Sequence, residues 1–356
     1  MTLEEEFLSV FAVKDGVFKS EKQPSGEDSF ISNLKINEKV INGGTSLVTF
    51  NSSEELSDLY VGIRSFDKGY FECPINLSSR IGGTYEYEMS ILLSQELSES
   101  FAISLSASSK SGKMNKIVNS ETVSVVTVAT GKLQLSLSWD KNDDVDLYLF
   151  EPDGNAIYYG NPLSSDNVDD IIKFYCYLIE KYTNHSTKGL NFNDEDDLDT
   201  LFDYFLDIPD TVDFSKEIKD YTDKNGGIRG FLDLDSNAGC DIDKINNENI
   251  TYPSKVKDGV YTVKVDLFEK CNTSTAGAKY VVTLNYDGKF VNFSSKQSGS
   301  FSDSNQGSYG ESLVTIGSFR ISNGKIEASE ARSMEVRSVV ARSPIVDKFM
   351  KKIKKK

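Results

Sequence analysis

The segment 139–154, WDKNDDVDLYLFEPDG, carries Asp144 and Asp146 two residues apart in a run that otherwise reads as a β-strand. Side chains on a strand alternate faces. The two carboxylates therefore point the same way, beside Tyr148 and Phe150, while Val145, Leu147 and Leu149 point the other way, as a core face should. A second run at 230–253, GFLDLDSNAGCDIDKINNENITYP, repeats the device. Leu232 and Leu234 alternate with Asp233 and Asp235, and Asn237 follows at the same spacing. If the two strands lie near each other, Asp144, Asp146, Asp233 and Asp235 converge.

Clustered carboxylates do not all stay ionised without a counter-charge. Some take up protons, as catalytic dyads do, or a hard cation sits among them. Calcium accepts about six to eight oxygens at about 2.3–2.6 Å. Asp144, Asp146, Asp233 and Asp235 would be its ligands, with Asn237 as a further candidate. Asn249, or Asp241 and Asp243, could add oxygens. The D-x-D-x-N-x-G run from Asp233 to Gly239 is not an EF-hand loop: its glycine is one position late, and Lys244 stands where the bidentate Glu belongs. The competing explanation is that these Asp and Asn residues are solvated turn formers.

Other chemistries find less support. His185, in the polar stretch YTNHSTKG, is the single histidine, and no G-x-S-x-G elbow occurs. The paired glycines at 43–44, 82–83 and 226–227 mark turns rather than a phosphate loop. Two acids could run glycoside hydrolysis, with Tyr158, Tyr159 and Tyr252 as candidate sugar-facing aromatics. Carbohydrate binding without chemistry fits those aromatics better.

The elements that must position these residues are mostly strands. Residues 1–25 read as an irregular lead-in. Over about 26–130 strand follows strand. TYEYEMSILL places Tyr85, Tyr87, Met89 and Ile91 on one face, and FAISLSAS places Phe101, Ile103 and Leu105 inward. Turn signals at roughly ten-residue spacing suggest an immunoglobulin-like sandwich. A second sandwich is expected over 131–325, from GKLQLSLSW, DGVYTVKVDLF and AKYVVTLNYDGK. Between about 164 and 225 the period becomes helical, through Ile171, Ile172, Tyr175, Leu178 and Ile179, then Leu198, Leu201, Phe202 and Phe205. Residues 326–356 turn basic and read as a tail, with a helix conceivable across 326–343; the tail rests on the acidic body or contacts an anionic surface.

The 356 residues carry a formal net charge of −16, which argues against a nucleic-acid partner. No run of eighteen apolar residues predicts a transmembrane helix. The start, MTLEEEF, is acidic where an export signal would be basic; either the protein is cytoplasmic or such a signal is absent from this chain. Four cysteines without a CxxC, and one histidine, argue against zinc.

The motifs W-D…D-V-D-L, E-P-D-G, Y-Y-G-N, L-D-L-D-S-N-A-G-C and N-N-E-N-I, over about 131–162 and 226–300, resemble the YfaP-like family of exported or surface β-sandwich proteins of Gram-negative bacteria. An immunoglobulin-like domain ahead of such a module is typical of relatives. The helical insert departs from the family pattern, in which the Y-G-N turn runs into the G-G segment within a few residues. The resemblance implies a Cys240–Cys271 bridge, leaving Cys73 and Cys176 as buried small hydrophobes. The expectation is therefore a mainly β protein of two sandwiches, a non-enzymatic surface binding or adhesion module with a structural calcium site and a surface glycan or protein as partner. A carbohydrate-active enzyme or its accessory domain, and a spacer without ligand, are the alternatives.

Overall fold

The computed structural model describes residues 1–209, 211–271, 277–302 and 313–329. The chain is mainly β and forms two stacked pairs of sheets and a two-stranded parallel sheet, Lys39–Ile41 with Ser124–Val126; a helical insertion lies in the second pair. In the first pair, strands Phe11–Val13, Thr84–Leu93, Thr45–Ser52 and Ile31–Lys35 lie side by side, with Asn76–Ile81 also on Thr84–Leu93. They face a sheet built from Val118–Asn119, Ile103–Ser109, Leu56–Ile63, Tyr70–Cys73 and Val17–Lys19. Alternation dictates what fills the space between: Tyr87, Met89 and Ile91 from one sheet meet Ile103, Leu105 and Val61 from the other.

The lead-in read as irregular is instead part of this body. Thr2 and Glu5 form a reciprocal cap on helix Leu3–Leu8. Phe7 is fully buried, with its ring 4.6 Å from that of Phe66. Two short strands, Phe11–Val13 and Val17–Lys19, then join the two sheets. Burying Phe7 and Phe11 contributes about 2–3 kcal/mol each, which outweighs the charged character of the segment.

The second pair holds the Asp-bearing strands. Its larger sheet runs Leu163–Ser165, Ile228–Asp235, Asn247–Tyr252, Leu133–Trp139, Lys279–Tyr286, Lys289–Val291, and Ser298–Ser300 also pairs with Lys279–Tyr286. The smaller runs Ala156–Ile157, Asp144–Phe150, Gly259–Glu269, Val314–Ser322, Lys325–Ser329. Leu135, Leu137, Val145, Leu147, Val263 and Val265 are completely buried between them. Trp139, also fully buried, donates its indole N–H to the Asp143 carbonyl at 2.9 Å and so pins the turn that leads into Asp144.

The strand Lys325–Ser329 occupies the start of the region read as a basic tail. Asn323 and Gly324, both with positive φ, make a tight hairpin that returns the chain onto Val314–Ser322. The remainder of the tail lies outside the described residues.

The insertion comprises helices Val168–Tyr182, Glu195–Leu206 and Phe214–Asn225, capped by the side chains of Asn167, Asp194 and Asp213. Their apolar faces form a third core with Leu163, Ile228 and Phe231. The helices thus cover the outermost two strands of the larger sheet. The two sandwiches meet across a polar seam: Gln134 Nε2 donates to the Asn42 carbonyl at 2.8 Å, and Gln95 Nε2 donates to Gln134 Oε1 at 2.8 Å.

Candidate metal centre

Strand Asp144–Phe150 keeps the alternation its sequence predicts: Val145, Leu147 and Leu149 enter the core, and Asp144, Asp146 and Tyr148 face away. Its neighbour Ala156–Ile157 pairs only with Leu149 and Phe150. The edge of the strand beside Asp146 is therefore open to another partner. Glu248, from the other sheet, supplies it: Glu248 Oε2 accepts the Leu147 N–H at 2.5 Å. Glu248 shares the inward face of its strand with Ile250 and Tyr252, and is completely buried.

Strand Ile228–Asp235 brings the third carboxylate, but not by simple alternation. Leu232 pairs with Ile250, and Leu234 with Asn249, so Asp233 is an extra residue in a bulge. One extra residue exchanges the faces of everything that follows. Asp235 consequently stands opposite Glu248. Asp233 turns toward the seam, where its carboxylate accepts the Ala129 N–H and an Asn249 Nδ2 hydrogen, both at 2.6 Å.

Carboxylate oxygens of Asp146, Asp235 and Glu248 lie within 4.8 Å of one another. Two oxygens on opposite sides of a calcium ion are separated by about 4.6–5.2 Å, so the three fit one coordination sphere. Asp144 lines the same cleft. Its Oδ2 accepts the Gly239 N–H at 2.7 Å. Asp144 Oδ1 and Glu248 Oε1 are buried without a hydrogen-bond partner, an arrangement that costs free energy unless something positive meets them.

Electrostatics follow from this placement. Burial, then the charges of Asp235 and Glu269, push the Asp144 acid up to about 7, against the opposing pull of the Gly239 N–H. Burial, then Asp235 and Asp146, raise Glu248 well above the ordinary glutamate range. Elsewhere this chain handles a buried acid differently. Glu151 is met by Arg229 at 3.1 Å and also accepts from Tyr252 and Ser164.

Asn237 serves the adjoining turn. It adopts a left-handed conformation, donates to the Asp143 carbonyl at 3.0 Å and to Asn246 Oδ1 at 2.8 Å, and accepts the Asp243 N–H. Asp243 caps Ile245 and holds Ser236. A Cys240–Cys271 disulfide ties this turn to the end of strand Gly259–Glu269. Asn249, buried at the seam, accepts from Gln134 and Ser136. The structure therefore gathers Asp144, Asp146 and Asp235, adds Glu248, and engages the side chains of Asp233 and Asn237 in other contacts, although Asp233 also lines the cleft over the cluster. Glu248 had a signal in the sequence: it is a charged residue in phase with Ile250 and Tyr252 on a core-facing strand.

A cleft of about 580 Å³ opens over the cluster, with Asp144, Asp146, Asp235, Tyr159, Leu232 and Phe268 among its walls. Phe268 reaches it because Asp144 pairs with Glu269 and Val145 with Leu267, leaving Phe268 as the bulged residue. Its ring meets that of Tyr159 edge-on at 5.4 Å. Tyr158 stacks on Tyr148, and Tyr252 is buried in the core. His185 is remote in role: on the insertion, it lies 2.5 Å from Asp207 and stacks on Tyr204.

Comparison with protein-family models and with curated proteins returns no match to this chain.

Proposed function

We propose that the chain is a non-enzymatic binding module whose second sandwich is fastened by a calcium-type cation held by Asp146, Asp235 and Glu248, with Asp144 beside them. One observation carries this: three carboxylates from three strands and both sheets come within 4.8 Å, and Glu248 presents a buried, unpartnered oxygen among them. A cation there joins the two sheets at an edge where strand pairing stops. Hard oxygens and the absence of His or Cys in the cluster favour calcium over zinc or copper. The Cys240–Cys271 bridge and the YfaP-like motifs support an exported, cell-surface setting. Adhesion to a surface glycan or protein is the wider task that such a module would serve. Among the described residues, no helix is long and apolar enough to cross a membrane.

A second function draws on the same cleft. Asp144, held near 7, and the exposed Asp235 beside aromatics have the composition of a glycosidase site. Hydrolysis needs two acids; it gives no reason for Asp146 and the buried Glu248 to crowd against them. The cation accounts for all four.

Thermal melting in EDTA and in calcium tests the proposal. A native-state ligand raises the midpoint by mass action. A calcium-induced rise that Glu248→Gln abolishes supports the site. Identical melting curves in EDTA and calcium would return the module to a ligand-free spacer.

A further inference from the structure

We propose that the cation in this cleft completes its coordination with two neighbouring hydroxyls of a neutral sugar, whose ring rests against Tyr159 and Phe268. The inference depends on the cation site argued above and extends it to a class of ligand.

Coordination capacity is the first reason. Glu248 Oε2 is committed to Leu147, and Asp144 Oδ2 to Gly239, so each residue offers one oxygen. With one or two from each of Asp146 and Asp235, the protein supplies about four to six of the six to eight that calcium takes. Asp235 at the mouth of the cleft is exposed, so the remaining positions would be filled from the cleft. A vicinal diol fills two adjacent positions with the spacing calcium accepts.

Charge selects the class. Four carboxylates around one divalent ion leave a net charge of about −2 at the site, inside a chain of formal charge −16. A phosphate or carboxylate ligand would be repelled, and a cationic one would compete with the metal. Neutral hydroxyls meet neither obstacle.

Shape is the third reason. A volume of about 580 Å³ lies within the range of small-ligand sites, roughly 300–1,000 Å³. One wall is polar. The other carries half-buried Tyr159 and Phe268, with Leu232 and Pro162 near them. A pyranose has the same division, hydroxyls on its rim and C–H groups on its face, and the C–H face packs on aromatic rings.

The test uses the full chain in two stages. Calcium alone is titrated first, by calorimetry. Methyl glycosides of mannose, galactose and fucose, and inorganic phosphate as an anionic probe, are then added with calcium or with EDTA, and saturation-transfer NMR reads contact. At least one glycoside should bind with calcium and not with EDTA. Tyr159→Ala and Phe268→Ala should weaken that binding at least tenfold while leaving the calcium isotherm within about twofold. Calcium binding with no glycoside signal, or with phosphate bound instead, overturns the sugar inference and leaves the cation site standing. Absence of calcium binding removes both. Loss of sugar without loss of metal in the aromatic variants would also exclude a folding defect, because the calcium isotherm requires the folded cleft.

Discussion

Glu248 and Leu147 belong to opposite sheets, yet the Glu248 carboxylate accepts the Leu147 peptide N–H at 2.5 Å. The contact closes an edge that the short strand Ala156–Ile157 leaves open. It also draws a negative side chain into a place already holding Asp146 and Asp235. The fold thereby uses a carboxylate where a neutral acceptor would have served the backbone equally well. That choice is what the proposed cation would explain.

Glu248→Gln separates the two roles. The amide oxygen still accepts from Leu147, and one negative charge is gone. In EDTA the variant should be more stable than the parent by about 1–3 kcal/mol, since a buried charge without a matched counter-charge costs on that order. In calcium the order should reverse. Chemical denaturation under both conditions checks this; a variant weaker than the parent in EDTA would contradict it.

The metal-free protein should lose stability as pH rises. Asp144 holds its proton up to about 7 in the native state, against about 3.9 in an unfolded chain. The native state therefore binds the proton more tightly. Stability from this group is fully present below about pH 4 and is lost as pH climbs toward and through 7. Glu248, raised by burial and by Asp235, acts in the same direction. Denaturant midpoints in EDTA at pH 5 and pH 8 measure the loss, and Asp144→Asn should flatten it. Calcium, which binds the deprotonated forms, should gain affinity over the same interval.

Reduction of the Cys240–Cys271 bridge should weaken both fold and site. The bridge closes a sequence separation of 31 residues, for which chain entropy predicts about 3–4 kcal/mol. It also restrains the turn that presents Gly239 to Asp144. A paired Cys240→Ser, Cys271→Ser variant should melt lower and bind calcium more weakly than the parent. Equal calcium affinity in both would show that the turn holds its shape unaided.

Asp233→Ala provides the contrast. Its carboxylate meets Ala129 and Asn249 at the seam between the sandwiches. Removing it takes the acceptor from the Ala129 N–H and from one of the two Asn249 amide hydrogens, the other still donating to the Ala129 carbonyl, at a cost of about 1–3 kcal/mol. Calcium affinity should stay within about twofold of the parent, whereas Asp235→Ala should reduce it at least tenfold. Calorimetric titration of the two variants side by side decides whether the bulge sorts these aspartates as described.

Local pattern accounts for much of this. The period-two runs of Asp144–Phe150 and Gly259–Glu269 declared their core faces, and the helical spacing from Ile171 to Ile179 marked the insertion. Two departures from the expected pattern are local as well. Phe7 and Phe11 lie in a charged stretch that the Thr2 and Glu5 caps order into a helix and strand. Asn323-Gly324 was a hairpin signal inside what looked like the approach to a tail.

What the amino-acid order determined by itself was the side each residue faces along its own strand, because that depends only on the alternation of consecutive Cα–Cβ bonds. It placed Asp144 and Asp146 together for this reason. What tertiary structure alone decided was which faces meet. A one-residue bulge at Asp233 split the second pair, leaving Asp233 at the seam and turning Asp235 to Glu248. Glu248 then joined from a third strand through a contact between sheets. Bulges and sheet-to-sheet contacts arise from the summed packing of distant segments, and no short stretch of sequence contains that sum.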